Sequence, residues 1–121
     1  MNAKFYMPFE TAKMLKAADY PQDGSDMYYT PAGVLHDKVA LDEQFKEELP
    51  IALTDCFAAP AYCEVLDWLA EKNIDIDVYM TVDNTFFSSL WKHGKNEYYL
   101  GELPTREEAI NSAIIRALEE V

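Results

Sequence analysis

Apolar and polar residues alternate without interruption from Ile74 to Val82, which predicts a β-strand with one buried face. The apolar set is Ile74, Ile76, Val78, Met80 and Val82, and the set between them is Asp75, Asp77, Tyr79 and Thr81. Asp83-Asn84 favours a two-residue hairpin turn, because both residues tolerate positive φ. A return strand is then predicted over Thr85–Lys92, followed by a turn over residues 93–96 and a third strand over Glu97–Gly101.

The length of the first turn sets the register of this predicted meander. With two turn residues, Met80 lies opposite Phe87, and Trp91 falls on the buried face. The buried face then also takes Ser89, Tyr98 and Leu100. The opposite face carries a second, partly aromatic group, which consists of Tyr79, Thr81, Phe86, Leu90 and Tyr99.

Two helices are predicted to flank the meander. Pro60 suits the first position of a helix, where its missing N–H costs nothing, and an apolar stripe follows it, made of Tyr62, Val65, Leu66 and Leu69. Asn73 suits the left-handed residue that ends such a helix. Residues 105–108, Thr-Arg-Glu-Glu, have the form of a capping box, and the helix that they start is predicted to continue to Val121.

The patterns in the first 55 residues are shorter. A helix is predicted over Phe9–Ala18, and a hairpin is predicted from Met27–Thr30 and Val34–His36 around a Pro-Ala-Gly turn. Asp42–Leu49 fits either a helical turn or a charged loop, and residues 51–54 fit a short strand.

These elements predict an α+β fold in a single domain of residues 1–121. Residues 56–121 follow the order helix, three-stranded antiparallel meander, helix, with both helices on one face of the sheet in two layers. Residues 1–55 extend this unit with an N-terminal helix, a short hairpin and an acidic segment.

The chain is strongly acidic, with 22 acidic and 10 basic residues and a formal net charge of −12. Eleven acids and three lysines lie between Asp37 and Asp77, so this third of the chain carries −8 of that charge. Binding to phosphates requires Lys and Arg to displace counterions, so we expect no direct binding of nucleic acids or anionic membranes. The candidate acidic surface consists of Asp42, Glu43, Glu47, Glu48, Asp67, Glu71, Asp75 and Asp77.

Residue types that carry catalysis are few and scattered. His36 and His93 fall in a predicted strand and a predicted turn, and Cys56 and Cys63 do not form a C-x-x-C pattern. We therefore predict no catalytic residue, no metal site and no cofactor, and we expect both cysteines to be reduced and buried. No apolar run reaches the roughly 18 residues of a membrane helix, and the start lacks the features of a signal peptide. We expect a cytoplasmic protein.

Three segments carry a resemblance to known proteins. They are LKAADYPQ (Leu15–Gln22), APAYCEVLDWLAEKNIDIDV (Ala59–Val78) and TREEAINSAIIRALE (Thr105–Glu119). Together these segments resemble small uncharacterised proteins of gut Bacteroidetes genomes and their phages and prophages. Ala61 departs from this family, which often has Ser or Thr there. The resemblance implies a compact α+β protein of the cell interior, with mobile DNA as one source, and it names no site residue.

The order of elements from Pro60 onward, with Gly101 shortly before the last helix, is similar to that of double-stranded-RNA-binding domains. Those domains begin their last helix with basic residues, whereas residues 105–108 are acidic here. This second resemblance implies a shared topology and not a shared RNA-binding function.

Three functions stay open at this point. The first is a non-enzymatic accessory or interaction protein, which binds a protein partner or a second copy of itself through the partly aromatic sheet face. The second is an acidic decoy that occupies a nucleic-acid-binding surface of a host protein, and its acids should then project from one face at phosphate-like spacing. The third is a small-molecule-binding or catalytic domain, which requires a deep pocket onto which His36, His93 or Cys56 converge.

Overall fold

The computed structural model of the chain describes residues 6–38, 53–92 and 95–121. The chain divides into two compact units, Met1–Ala61 and Tyr62–Val121. Each unit combines helix with antiparallel sheet, which confirms the α+β class. The organisation of residues 1–121 as a single domain stays a prediction.

The first unit contains a helix and a three-stranded antiparallel sheet. Among its described residues the elements are α1 (Phe9–Ala17), β1 (Met27–Tyr29), β2 (Leu35–Asp37), a 3₁₀ helix (Leu53–Asp55) and β3 (Phe57–Ala58). β1 lies between β2 and β3, so the predicted helix and hairpin are confirmed. The predicted strand over residues 51–54 is wrong at Leu53 and Thr54, which belong to the 3₁₀ helix, and Asp42–Leu49 lies outside the described residues.

The core of the first unit forms where α1 meets this sheet. Its buried cluster contains Ala12, Met27, Tyr29 and Ala59, and Phe9 packs against that cluster. The turn between β1 and β2 places Gly33 at φ +87°, and a Cβ atom there would lie 3.1 Å from the Phe9 ring. Glycine is therefore required at this turn both by its backbone conformation and by the helix that packs on it.

The second unit contains two helices and a meander. Its elements are α2 (Tyr62–Glu71), β4 (Ile74–Met80), β5 (Phe86–Lys92), β6 (Lys95–Leu103) and α3 (Arg106–Leu118). The sheet order is β4-β5-β6, as the sequence predicts. α3 contacts all three strands and also contacts α2, and α2 contacts β4.

One end of each helix of the second unit lies at or beside a residue that favours helix termini, and some element boundaries lie a few residues from the predicted ones. Asn73 adopts φ 61° after α2, which confirms the predicted left-handed helix end. The Oγ1 atom of Thr105 accepts a hydrogen bond of 3.1 Å from the Glu108 amide, which confirms the Thr105 half of the predicted capping box. Several boundaries differ from the prediction by a few residues, and three of them are at the helices and at the start of β6. α2 begins two residues after Pro60, α3 ends before Val121, and residues 95–96 belong to β6 rather than to a turn.

The β4–β5 register differs from the sequence prediction by one residue. Met80 pairs with Phe86 rather than with Phe87. Thr81 and Thr85 close the hairpin, because the Thr81 amide donates to the Thr85 carbonyl at 2.8 Å and the two hydroxyl oxygens are 2.7 Å apart. The loop therefore has three residues and ends with Asn84 at φ 61°, a common hairpin geometry. A shift of one residue moves every β5 side chain to the opposite face.

Two contacts identify the face of the sheet that α3 covers. The Arg106 guanidinium lies 5.2 Å from the centre of the Phe86 ring, and the Lys92 ammonium lies 3.3 Å from a carboxylate oxygen of Glu120. Phe86 and Lys92 therefore face α3, and strand alternation places Ser88 and Leu90 on the same side. The prediction that Trp91 and Ser89 lie on the helix-covered face is wrong.

Candidate interaction surface

The five residues predicted to share one sheet face are divided between two faces. Leu90 is fully buried on the side of α3, together with Phe86. Tyr79 lies on the opposite side, because it pairs with Phe87, and Tyr99 lies there because it pairs with Ser89. Thr81 is half-buried at the hairpin end, with its hydroxyl bonded to Thr85. The prediction of one shared face is therefore wrong. The opposite face keeps Tyr79, Tyr99 and, at its hairpin end, Thr81.

The face opposite α3 carries aromatic and acidic side chains, and we call it the aromatic–acidic face. Its members are Asp75, Asp77, Tyr79, Phe87, Ser89, Trp91, Tyr99 and Glu102. Glu102 belongs to it because its carboxylate accepts a hydrogen bond of 3.1 Å from the Thr85 hydroxyl, beside Thr81.

An aromatic row crosses this face from strand to strand. The rings of Tyr79 and Phe87 stack with their centroids 5.0 Å apart and their planes at 25°, and the Phe87 centroid lies 6.5 Å from that of Tyr99. The outer two rings are still accessible, since Tyr79 is 42% exposed and Tyr99 is 68% exposed. The row is thus a partly ordered apolar surface that solvent reaches.

An open groove lies at the other end of the face. It has a volume of about 340 Å³ and is lined by Asp75, Ile76, Asp77 and Trp91. Asp75 and Trp91 are direct cross-strand partners, and Asp77 lies two residues along β4 on the same side. Both aspartates are exposed, and neither carboxylate forms an ion pair or a hydrogen bond with another described residue.

Ser89 lies at the centre of the face. Its cross-strand partners are Asp77 and Tyr99, and Phe87 and Trp91 are two residues away on the same side. Ser89 is fully buried, and its hydroxyl has no hydrogen-bond partner in the part of the chain that the structure describes. A buried polar atom without a partner is uncommon in folded proteins and calls for an explanation.

The predicted acidic surface is only partly within the described residues. Asp42, Glu43, Glu47 and Glu48 lie outside them. Asp67 and Glu71 are exposed on α2, and Asp75 and Asp77 are exposed on β4. A single acidic surface formed by all eight residues stays a prediction.

The residues considered for catalysis do not converge where they are described. His36 lies on β2 opposite Tyr28, Cys56 is buried before β3, and His93 is outside the described residues. Burial raises the pKa of the Cys56 thiol, and nearby Lys16 lowers it by a smaller amount. Cys63 is exposed on the side of α2 opposite the buried Val65, so the prediction that both cysteines are buried is wrong for Cys63.

Within the described ranges of the chain, no three His, Cys, Asp or Glu side chains are grouped as a metal site would require. None of the helices in these ranges combines the length and apolar character needed to span a membrane.

No protein-family model matches the chain, and no curated protein or solved structure matches it either. The resemblances to other proteins therefore stay predictions, and the aromatic–acidic face is the feature of the structure that bears on function.

Proposed function

We propose that this chain is a non-enzymatic interaction protein that binds a protein partner through its aromatic–acidic face. The observation that carries the proposal is the row of Tyr79, Phe87 and Tyr99, whose outer rings remain 42% and 68% exposed. Tyrosine is enriched at protein interfaces, because it combines a large rigid ring with a polar tip. Residues already held in a stack lose little side-chain entropy when a partner covers them.

The end of the β4–β5 hairpin exposes two further apolar side chains that do not belong to the aromatic–acidic face. Met80 is 61% exposed and Val82 is 98% exposed. Met80 pairs with Phe86, so it lies on the α3 side of the sheet and points away from Tyr79. The proposal therefore rests on the aromatic row.

The charge of the face favours a different protein over a second copy of this chain. Two copies packed face to face would bring two surfaces together that each carry the carboxylates of Asp75, Asp77 and Glu102. Like charges placed across an interface oppose association. A homodimer through this face would therefore form only at high salt, where the repulsion is screened.

The proposal is tested by capture of partners on the immobilised full chain, in parallel with light scattering. Tyr79→Ser/Tyr99→Ser should lose the proteins that the unmodified chain retains. Met14→Ser/Val34→Ser is the matched control, because it removes two exposed apolar side chains from another part of the surface. Retention of the same proteins by the chain with Tyr79 and Tyr99 replaced would refute the proposal.

A second candidate function is the acidic decoy, and the spacing of Asp75 and Asp77 favours it. These exposed residues project from one side of β4 about 6.6 Å apart, as alternate residues of a strand do. A protein held by a decoy should be displaced by duplex DNA or RNA added as competitor. A retained partner that nucleic acid does not displace would argue against the decoy and leave the first proposal intact.

We also propose a cytoplasmic location, supported by two free cysteines in the described chain. Free thiols persist where the cell keeps its interior reducing. Fractionation of cells that produce the tagged protein tests this location.

A further inference from the structure

The groove of the aromatic–acidic face combines the two kinds of group that attract organic cations. Asp75 and Asp77 supply two exposed carboxylates, and Trp91, directly opposite Asp75, supplies an indole ring. Carboxylates bind guanidinium and ammonium groups through charge-assisted hydrogen bonds, and the face of a tryptophan ring attracts a cation electrostatically.

None of the cationic side chains that the structure describes in the second unit neutralises these carboxylates. Four cationic side chains of the second unit are described, and each is engaged elsewhere. Lys72 lies over the Trp68 ring, Lys92 pairs with Glu120, Arg106 lies over Phe86, and Arg116 pairs with Glu119 and Glu120. No described Lys or Arg side chain therefore reaches the carboxylates of Asp75 and Asp77.

Some aromatic rings of the second unit already have a cation of the chain beside them. The Lys72 ammonium lies 4.8 Å from the centre of the Trp68 ring, and the Arg106 guanidinium lies 5.2 Å from the centre of the Phe86 ring. The rings of Tyr79, Phe87 and Trp91 have no cation among the described residues. Among the described side chains, the carboxylates of Asp75 and Asp77 and the ring of Trp91 therefore have no Lys or Arg beside them.

We infer that this groove binds arginine or lysine side chains from an extended basic segment of the partner protein, an inference that rests on the proposed function. An extended segment projects alternate side chains about 6.6 Å apart, which matches the spacing of Asp75 and Asp77 on β4. β4 has a neighbouring strand on one side only in the described sheet. The segment can therefore run along its outer edge, a recurring mode of peptide recognition.

The test measures binding of a short fluorescein-labelled peptide of alternating Arg and Thr to the full chain by fluorescence anisotropy. Asp75→Asn/Asp77→Asn removes both charges with little change of shape and should weaken binding by about tenfold or more. Asp67→Asn/Glu71→Gln is the matched control, because it removes the same charge from exposed positions on α2. The control should retain affinity within about twofold.

Two further measurements distinguish binding in this groove from nonspecific attraction of a basic peptide to an acidic protein. Trp91→Leu should weaken binding about threefold or more, because it removes the ring that the cation contacts. A peptide of the same composition with its arginines contiguous should bind more weakly than the alternating one. Any one of three results would overturn the inference. The β4 and α2 variants could lose the same affinity, the two peptides could bind equally well, or the alternating peptide could fail to bind.

The outcome is separable from that of the proposed function. If the alternating peptide fails to bind while Tyr79→Ser/Tyr99→Ser still abolishes partner capture, the inference about basic segments fails and the interaction function stands. If capture is insensitive to Tyr79 and Tyr99, the proposed function fails whatever the peptide does. A dimer through this face that the basic peptide does not dissociate assigns the face to a second copy and overturns the inference.

Discussion

Tyr79 stacks on Phe87 across the β4–β5 pair, with ring centroids 5.0 Å apart and ring planes at 25°. The two residues are direct cross-strand neighbours, so the stack follows from the register and does not need a particular loop conformation. Aromatic pairs of this geometry contribute about 0.5–1.5 kcal/mol beyond the area they bury. The aromatic row is therefore a stabilising part of the sheet as well as a surface for a partner.

The first prediction concerns this stack. Tyr79→Ala and Phe87→Ala should each lower the free energy of unfolding, and the double variant should lose less than the two single losses combined, by about 0.5–1.5 kcal/mol. Urea denaturation followed by circular dichroism measures all four free energies. A coupling near zero would mean that the rings do not interact in solution.

The second prediction tests the register by comparing the truncation of one fully buried side chain with that of one exposed side chain. Leu90→Ala should lower the free energy of unfolding by about 2–5 kcal/mol, because Leu90 is fully buried beneath α3 and its truncation leaves a cavity. Val82→Ala, at a side chain that is 98% exposed, should change it by no more than about 0.5 kcal/mol. The register predicted from the sequence reverses this order, since it buries Val82 and exposes Leu90.

The sequence predicts the order of elements well and the register poorly, for a physical reason that the β4–β5 hairpin makes clear. The alternation from Ile74 to Met80 identifies the strand and its apolar side without reference to any other element. The register depends on whether the loop has two residues or three. That choice is made by the paired hydroxyls of Thr81 and Thr85 and by Asn84 at positive φ, which start the loop at Val82, inside the alternating segment of residues 74–82.

The error in register carried over directly into the candidate site. Phe86 and Leu90 alternate with Phe87 and Trp91 in a run where both sets are apolar, so composition alone does not tell the two faces apart. Asp75 and Asp77 are the residues that do tell them apart, because they must face solvent on β4. The sequence signal that identifies the site is therefore the pair of carboxylates, and the cross-strand partners follow only when the loop length is known.

The third prediction concerns two lysines of α1 that have different contacts. The Lys16 ammonium donates to the carbonyl oxygens of Thr54 and Cys56, at 2.9 Å for Cys56, and so connects α1 to the segment before β3. Lys16→Met keeps the aliphatic stem and should lower the free energy of unfolding by about 1–3 kcal/mol, because both carbonyls lose a charged donor. Urea denaturation measures the change.

Lys13→Met is the matched control for Lys16→Met, one turn earlier on the same helix. Lys13 forms an ion pair of 3.0 Å with Glu10, whose side chain is 79% exposed. Exposed pairs of this kind contribute little, so the control should change the free energy of unfolding by about 0.5 kcal/mol or less. Equal losses in the two variants would contradict a specific role for Lys16.

The fourth prediction distinguishes the two cysteines by their reactivity. Cys63 is exposed on α2 and Cys56 is buried, so the folded chain should show one fast-reacting thiol and the unfolded chain two. Ellman's reagent counts them. Cys63→Ser should remove the fast reaction, and Cys56→Ala should leave it unchanged. A fast reaction that survives in Cys63→Ser would mean that Cys56 is accessible.

The same buried thiol makes the stability of the chain depend on alkaline pH in a definite direction. Burial raises the pKa of Cys56 in the folded state, so at a pH between the unfolded and folded values the folded chain keeps a proton that the unfolded chain has lost. The stabilisation is fully present below the unfolded pKa, about 8.5, and is lost as the pH rises through the folded value. The free energy of unfolding should therefore fall more steeply above that pH in the unmodified chain than in Cys56→Ala.

Tyr29, whose pKa burial also raises, contributes to both chains alike and cancels in the comparison. Parallel slopes in the two chains would show that the Cys56 thiol titrates alike when folded and unfolded.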